Sequence, residues 1–366
     1  MIKFNKPLLW GSEFETLSQT FAQTDCKHFE NLCRELLKNE IKCRDVQMTS
    51  SCTAALEMAV QLIGIEPQDE VIMPSFTHVG TANPFRRAGA EIRWCDIRSD
   101  TKNIDENLIE KLITSHTKAV VAVHYGGVSC EMDKITEICR RHNLFLIEDC
   151  AMAIGAKYRQ KPLGSFGDLA VVSFHETKNI HCCRGGALII NREEFVEKAQ
   201  ILIDCGTDKH RFETGKIDHY SWIEVGSNYQ MSRLQSAFLS VQLNVLQEVT
   251  AKRLLIWERY FMLLGNFLPP EKLPIVPSDC QHNGHLFYLI LESKLKRELL
   301  TRRLLEAGIE AVIHYVPLHN APIQRGNQSH LPVTECVAKT LLRLPLYYDL
   351  SPGEQIHVAE KIREFT

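Results

Sequence analysis

The chain has 366 residues, 45% hydrophobic and 24% charged, with a formal net charge of −3. That length supports two domains, or one large domain with a dependent smaller one, and the balanced charge gives no electrostatic reason to expect nucleic acid or an anionic membrane as partner. No apolar run reaches the ~18 residues of a membrane span.

The opening residues Met1-Ile2-Lys3-Phe4-Asn5 carry no cleavable signal pattern. The 13 cysteines are irregularly spaced and odd in number. Without a secretory signal they read as reduced thiols of a cytoplasmic protein, mostly filling core, and no metal site is expected. Helical spacing runs through residues 14–40, with Phe14, Leu17, Phe21, Phe29, Leu32, Leu36 and Leu37 as its apolar positions. The stretch Met48-Thr49-Ser50-Ser51-Cys52-Thr53-Ala54-Ala55-Leu56 is a hydroxyl-rich turn opening onto a helix. Simple capping explains it, and so does an anion seat built from free N–H groups and the helix dipole.

Six short apolar runs of strand length follow: Glu70–Met73, Glu91–Cys95, Ala119–His124, Leu144–Glu148, Leu169–Ser173 and Ala187–Ile190. Amphipathic segments lie between several of them, notably Asp105–Thr114 and Met132–His142. This alternation predicts an α/β fold, a largely parallel sheet covered by helices on both faces. Ligands in such sheets sit at the carboxyl ends of the strands. Pro74–His78, Glu148-Asp149 and Ser173–Lys178 all fall there.

Beyond Tyr229 the pattern changes. Ser232 to about Phe267 reads as one long helix striped by Leu234, Phe238, Val241, Val245 and Val249, ended by Pro269-Pro270. The rest reads as a smaller α+β unit, with strands at His285–Leu291 and Glu310–Tyr315 and helices at Leu295–Ala307, Val333–Leu342 and Pro352–Phe365. The expected domains are therefore residues 1–245 and 246–366.

The chemistry concentrates at Ser173-Phe174-His175-Glu176-Thr177-Lys178-Asn179. A lysine just past a strand end can be held desolvated, with its amine depressed towards nucleophilicity. Paired with Asp149 at the end of an earlier strand, it matches the needs of a pyridoxal phosphate site: a lysine for the Schiff base and a carboxylate for the pyridine nitrogen. Asp149 could instead cap a helix, since Ala151-Met152-Ala153 follows it.

Several runs together resemble the DegT/DnrJ/EryC-type nucleotide-sugar aminotransferases, enzymes of pyridoxal phosphate fold type I. They are Ser51-Cys52-Thr53-Ala54, Asp69–Ser75, Asn143–Asp149, Ser173–Asn179, Met231–Gln235, Tyr315-Val316-Pro317-Leu318-His319 and Leu344-Pro345-Leu346. The resemblance implies a large cofactor-binding domain and a smaller C-terminal α+β domain. It implies that Lys178 holds the cofactor and shuttles the substrate proton, that Asp149 pairs with the pyridinium nitrogen, and that Cys52, Thr53 and Ser173 receive the phosphate. Asn228 stands where the family brings an asparagine from a neighbouring subunit, which implies a homodimer with shared active sites. The implied reaction passes the amino group of L-glutamate to C4 of dTDP-4-keto-6-deoxy-D-glucose, giving a galacto-configured 4-amino-4,6-dideoxy sugar for surface polysaccharide such as the O-antigen of lipopolysaccharide. A 3-keto or other nucleotide sugar, or a weakened homologue that only binds one, are the alternatives.

Some positions depart from the family pattern. His78 replaces an aromatic residue that stacks on the cofactor, Met152 a hydrogen-bonding side chain, and Arg184 a glutamate. His175, His314 and Tyr315 are candidate substrate contacts, although packing or surface roles suit His124, His175, His314 and His319 as single residues. Arg86, Arg87, Lys294, Lys296 and Arg297 read as solvated face, and Tyr229 and Trp222 as core packing.

Overall fold

The computed structural model describes residues 1–22, 24–324 and 329–365. In chain order its first strands are β1 (Asp45–Thr49), β2 (Glu70–Pro74), β3 (Glu91–Cys95), β4 (Thr117–Val123), β5 (Phe145–Asp149), the short β6 (Lys157–Tyr158) and β7 (Lys161–Pro162), β8 (Leu169–Ser173) and β9 (Gly186–Ile190). Seven of these form one sheet in the order β1-β9-β8-β5-β4-β2-β3. Neighbours from β3 through β8 are parallel, β9 is antiparallel to β8, and β1 is antiparallel to β9.

Side chains alternate between the two faces, as the pleat dictates. In β4, Val120 and Ala122 pack with Met132, Ile135 and Ile138 of the helix Met132–Arg141. Ala119, Val121 and Val123 face the opposite layer, with Ala55, Leu56 and Ala59 of the helix Cys52–Leu62. Both faces are therefore buried, which is why these strands read as continuous apolar runs.

All six expected runs are strands, but β1 escaped the sequence reading. It alternates Val46 and Met48 with Asp45, Gln47 and Thr49, and every one of the five is buried. The polar set is satisfied internally. Arg34 lies 3.0 Å from Asp45, and Gln47 donates to the same carboxylate at 3.1 Å. The expected stripe in residues 14–40 is also out of phase in its first half. In the helix Glu13–Ala22 the buried residues are Glu13 and Thr20, while Phe14 and Phe21 are 68% and 79% exposed. Glu13 accepts the amides of Trp10 and Gly11 at 2.7 Å and the Gln242 side-chain amide at 2.6 Å, and these bonds turn the helix carboxylate-inward.

The expected long helix is two, Arg233–Asn244 and Leu246–Gly265, meeting at Val245 with φ −107° and ψ 12°. The break serves two cores. Phe238, Leu239, Leu243 and Val249 pack beneath the large sheet, whereas Ile256, Trp257, Tyr260 and Leu264 join the C-terminal cluster. Leu234 is 44% exposed and drops out of the predicted stripe.

Beyond it, β10 (Cys280–Gln281) pairs with β6, and β11 (Phe287–Ile290) pairs antiparallel with β12 (Leu341–Leu344). Glu310–Tyr315 is not a regular strand, because only Val312 bridges to Arg343. The expected helix to Leu342 ends at Thr340, where the chain turns into β12 to bury Leu341, Leu342 and Leu344. Arg297 is buried at 4% exposure and donates to the Ala338 carbonyl, against the expected solvated face. Trp222, expected in the core, is 75% exposed, while Tyr229 is buried. Ile2 packs into the C-terminal cluster. All 13 cysteines are free thiols, seven of them buried. Among the described residues, no helix is long and apolar enough to cross a membrane.

Candidate active site

The carboxyl ends of β5 and β8 carry Asp149 and Ser173, and the turns after β1 and β2 open the helices Cys52–Leu62 and Val79–Arg87 at the same edge. Ser51 caps the first helix, its hydroxyl accepting the Ala54 amide at 3.1 Å. The amides of Cys52 and Thr53, in the first turn, have no intrahelical acceptor. Gly186, opposite both Ser173 and Thr49 in the ladder, lets the β-strands close against this turn. A Cβ there would lie 2.4 Å from the Cys52 nitrogen and the Ser51 carbonyl carbon.

A cavity of about 480 Å³ opens at this edge. Ten of the eleven predicted site residues line it: Cys52, Thr53, His78, Asp149, Met152, Ser173, His175, Lys178, His314 and Tyr315. Asn228 does not. It is exposed and bridges to Asp204.

Asp149 is 4% exposed. One carboxylate oxygen accepts the Thr81 hydroxyl at 2.8 Å, the other the Ala151 amide at 3.0 Å. Thr81 is in turn 2.9 Å from the Thr77 hydroxyl. The segment after Asp149 is a series of turns, so the carboxylate caps no helix. Lys178 is part-buried, and desolvation lowers its ammonium pKa against the opposing influence of Cys52 and Asp149. His78 caps the helix Val79–Arg87 by accepting the Gly80 amide on Nδ1 at 3.0 Å, and its ring centroid lies 6.1 Å from that of Tyr315. Burial and the Lys178 charge lower its pKa.

Met152 packs among Phe76, Tyr125, Leu286 and Tyr288, its sulfur accepting the Gly126 amide at 3.4 Å. It serves as floor, not as a donor. His175 bonds the Thr177 hydroxyl at 3.0 Å. Burial, with the Arg343 and Lys178 charges, holds the His314 pKa at about 4, and burial pushes the Tyr315 phenol up to about 12. Of the remaining histidines, His124 is locked to Glu148 at 3.1 Å and His319 to Ser75 at 2.7 Å, both as internal struts.

Among the lining residues that the sequence does not single out, Thr81 and Arg343 carry polar groups that bear on the site. Thr81 lies in the first turn of the helix Val79–Arg87, and its hydroxyl meets that of Thr77, just before the N-cap, at 2.9 Å. Arg343 is a charge inside the buried run Leu341–Leu344, and that mismatch was the available signal. Arg184, exposed at the rim, also lines the cavity.

These residues fit pyridoxal phosphate. A depressed amine and a buried, doubly hydrogen-bonded carboxylate share one cavity, the first-turn amides and Ser173 offer donors to a phosphate, and Gly186 keeps the cradle clear of a Cβ. The volume lies within the ~300–1,000 Å³ of small-molecule sites.

Comparison with known proteins agrees. A model of the DegT/DnrJ/EryC1/StrS aminotransferase family matches residues 18–363. The spore coat polysaccharide biosynthesis protein SpsC of Bacillus subtilis (strain 168) is 34% identical over 326 residues, spanning 86% of this chain and 84% of that protein. The crystal structure of the aminotransferase TlmJ from Streptoalloteichus hindustanus superposes with a TM-score of 0.90 at 28% identity, covering 100% of this chain and 98% of that one. DesV from S. venezuelae, solved in complex with a ketimine intermediate, gives 0.90 at 27%, with the same coverage. With nearly its whole length matched, and with a site whose donors fit the cofactor, the chain belongs to the DegT/DnrJ/EryC1/StrS aminotransferase family of pyridoxal phosphate-dependent sugar aminotransferases.

Proposed function

We propose that this protein transfers the amino group of L-glutamate to C4 of dTDP-4-keto-6-deoxy-D-glucose, forming the galacto-configured 4-amino-4,6-dideoxy sugar nucleotide for surface polysaccharide. The observation that carries the chemistry is the convergence of Lys178 and Asp149 on one cavity at the ends of neighbouring parallel strands. The polysaccharide assignment is supported by the similarity to SpsC. Residues 1–245 hold the cofactor and 246–366 form the smaller domain, a division supported by the separate C-terminal hydrophobic cluster.

When bound, pyridoxal phosphate carries the amino group between the two substrates and delocalises the electron pair left by a departing proton. Lys178 holds the cofactor and, once released, takes the proton from the donor's α-carbon and later delivers one to C4 of the sugar. Its lowered pKa favours the neutral amine that the first step needs. Asp149, fixed by Thr81 and Ala151, presents a carboxylate to the ring's cationic N–H. Cys52, Thr53 and Ser173 hold the phosphate, with Asn228 reaching the site of a second copy. His78, Tyr315 and Met152, which line the same cavity, would hold the ring, and His175 and His314 would meet the substrate. Exposed Phe14, Phe21, Phe212, Tyr220 and Trp222 support assembly of two copies.

The test is the visible absorption of the protein with pyridoxal phosphate, before and after L-glutamate, beside Lys178→Ala. A visible band present only with Lys178 and bleached by L-glutamate is expected. Absence of that band, or its persistence in Lys178→Ala, would refute the lysine assignment and favour a nucleotide-sugar-binding homologue. Keto-sugar panels then decide position and epimer.

A further inference from the structure

Building on the aminotransfer reading above, we propose that Arg343, backed by His314, is the seat for the α-carboxylate of the amino donor. Among the described residues three arginines are buried, Arg253, Arg297 and Arg343, exposed by 4%, 4% and 7%. Burying a guanidinium is costly unless its donors and charge are met. Arg253 meets the requirement with the carbonyls of Gly284, His285 and Leu346 at 3.1, 2.8 and 3.2 Å. Arg297 donates to the Ala338 carbonyl and lies 3.4 Å from Glu298, outside the cavity.

Arg343 differs from both. Its one side-chain hydrogen-bond partner among the described residues is His314 Nδ1, at 2.8 Å; its Nε, like that of Arg297, is buried without an acceptor. No carboxylate of the described residues pairs with it. The guanidinium is instead aimed into the cavity that Lys178 lines, with Phe4 covering its other side at 4.9 Å. It lowers the Lys178 ammonium by its charge, so the two cations share one space.

The pairing also sets the imidazole. By accepting from Arg343 on Nδ1, His314 keeps its remaining proton on Nε2, a second donor for an anion. Its low pKa keeps that ring neutral at working pH, so it adds a donor without adding charge. A forked guanidinium beside a neutral N–H suits a small planar carboxylate.

Reaction geometry selects which carboxylate. Lys178 must reach the donor's α-carbon, and the α-carboxylate is bonded to that carbon, so it falls in the same enclosed part of the cavity. A sugar diphosphate is bulky and stays solvated. The cation available to it is Arg184 at the exposed rim.

The first experiment titrates 2-oxoglutarate, which carries the same carboxylate but no amine, into the cofactor-loaded protein by calorimetry. Arg343→Gln is expected to weaken binding ~30-fold or more, in line with stripping one partner from a buried charge pair. Arg343→Lys should fall between, and thymidine diphosphate should bind both variants as it binds the unmodified protein. Unchanged 2-oxoglutarate affinity, or a loss confined to thymidine diphosphate, would overturn the assignment. A second measurement needs no variant. In the unmodified protein L-isoglutamine, amidated at the α-carboxylate, should bleach the visible band far less readily than L-glutamine, amidated at the other end. Equal reactivity would overturn the proposal. Failure of the aminotransfer reading itself shows separately, as absence of the lysine-dependent band before any donor is added.

Discussion

Thr81→Val isolates the contact that orients Asp149. The two side chains are nearly the same shape, so the change removes a hydroxyl and little else. That hydroxyl donates to Asp149 at 2.8 Å and lies 2.9 Å from the Thr77 hydroxyl, in a position 2% exposed. A hydrogen bond to a charged group contributes about 1.5–3 kcal/mol. At ~1.4 kcal/mol per decade, its loss corresponds to a weakening on the order of ten- to a hundredfold. The free protein should lose about 1–3 kcal/mol, because the buried carboxylate is left with only the Ala151 amide. Cofactor affinity should fall by about tenfold or more, because the freed carboxylate no longer faces the ring nitrogen in one orientation. Urea unfolding of the free protein and titration of pyridoxal phosphate followed in the visible give the two numbers. Thr81→Ser, which keeps the hydroxyl, should retain the affinity. Cofactor binding within twofold of the unmodified protein, alongside a clear loss of stability, would refute the orienting role and leave Thr81 as packing alone.

Gly186→Ala drives a methyl to 2.4 Å from backbone atoms of Ser51 and Cys52, so the turn that opens the helix Cys52–Leu62 must shift. A loss of about 1–3 kcal/mol in urea unfolding, together with weakened cofactor binding, is expected. Glu148 is fully buried and accepts the amides of Gly164, Phe166 and Gly167. Burial raises its carboxyl, but His124 and those amides outweigh that effect and hold it below its ordinary value. A folded-state value below the unfolded one gives stability that is present above about pH 4.3 and lost as pH falls through the folded value. Glu148→Gln should therefore lower stability at neutral pH and flatten the acid limb of a denaturation series, and an unchanged acid limb would refute the linkage. Lys178→Ala and Asn228→Ala should each be inactive, yet regain activity when unfolded together and refolded, because the mixed dimer holds one site with both residues intact. Failure to complement would refute the shared site.

The sheet was legible because its strands are buried on both faces and apolar throughout, which leaves length and spacing as a clear signal. Where a strand or helix buries polar groups, that signal fails. β1 carries no such signal because Asp45, Gln47 and Thr49 find partners only in the folded chain, and the helix Glu13–Ala22 is out of phase with its apolar spacing because Glu13 is drawn inward by the Trp10 and Gly11 amides and by Gln242, 229 residues away. The hinge at Val245 answers to two cores that no local window contains.

The sequence by itself determined which polar groups meet: a lysine past one strand end, an aspartate at another and a hydroxyl-rich turn opening a helix are local patterns, and the alternation of strands and helices brings such ends to one edge. Tertiary structure alone decided what holds and surrounds them. Thr81 reaches Asp149 across 68 residues of chain, and Arg343 reaches His314 across 29. Hydrogen bonds and unmet charge of that kind depend on which elements pack together, not on neighbouring letters. A buried guanidinium whose side-chain hydrogen bond goes to an imidazole, not a carboxylate, is visible only once the other partners have been placed.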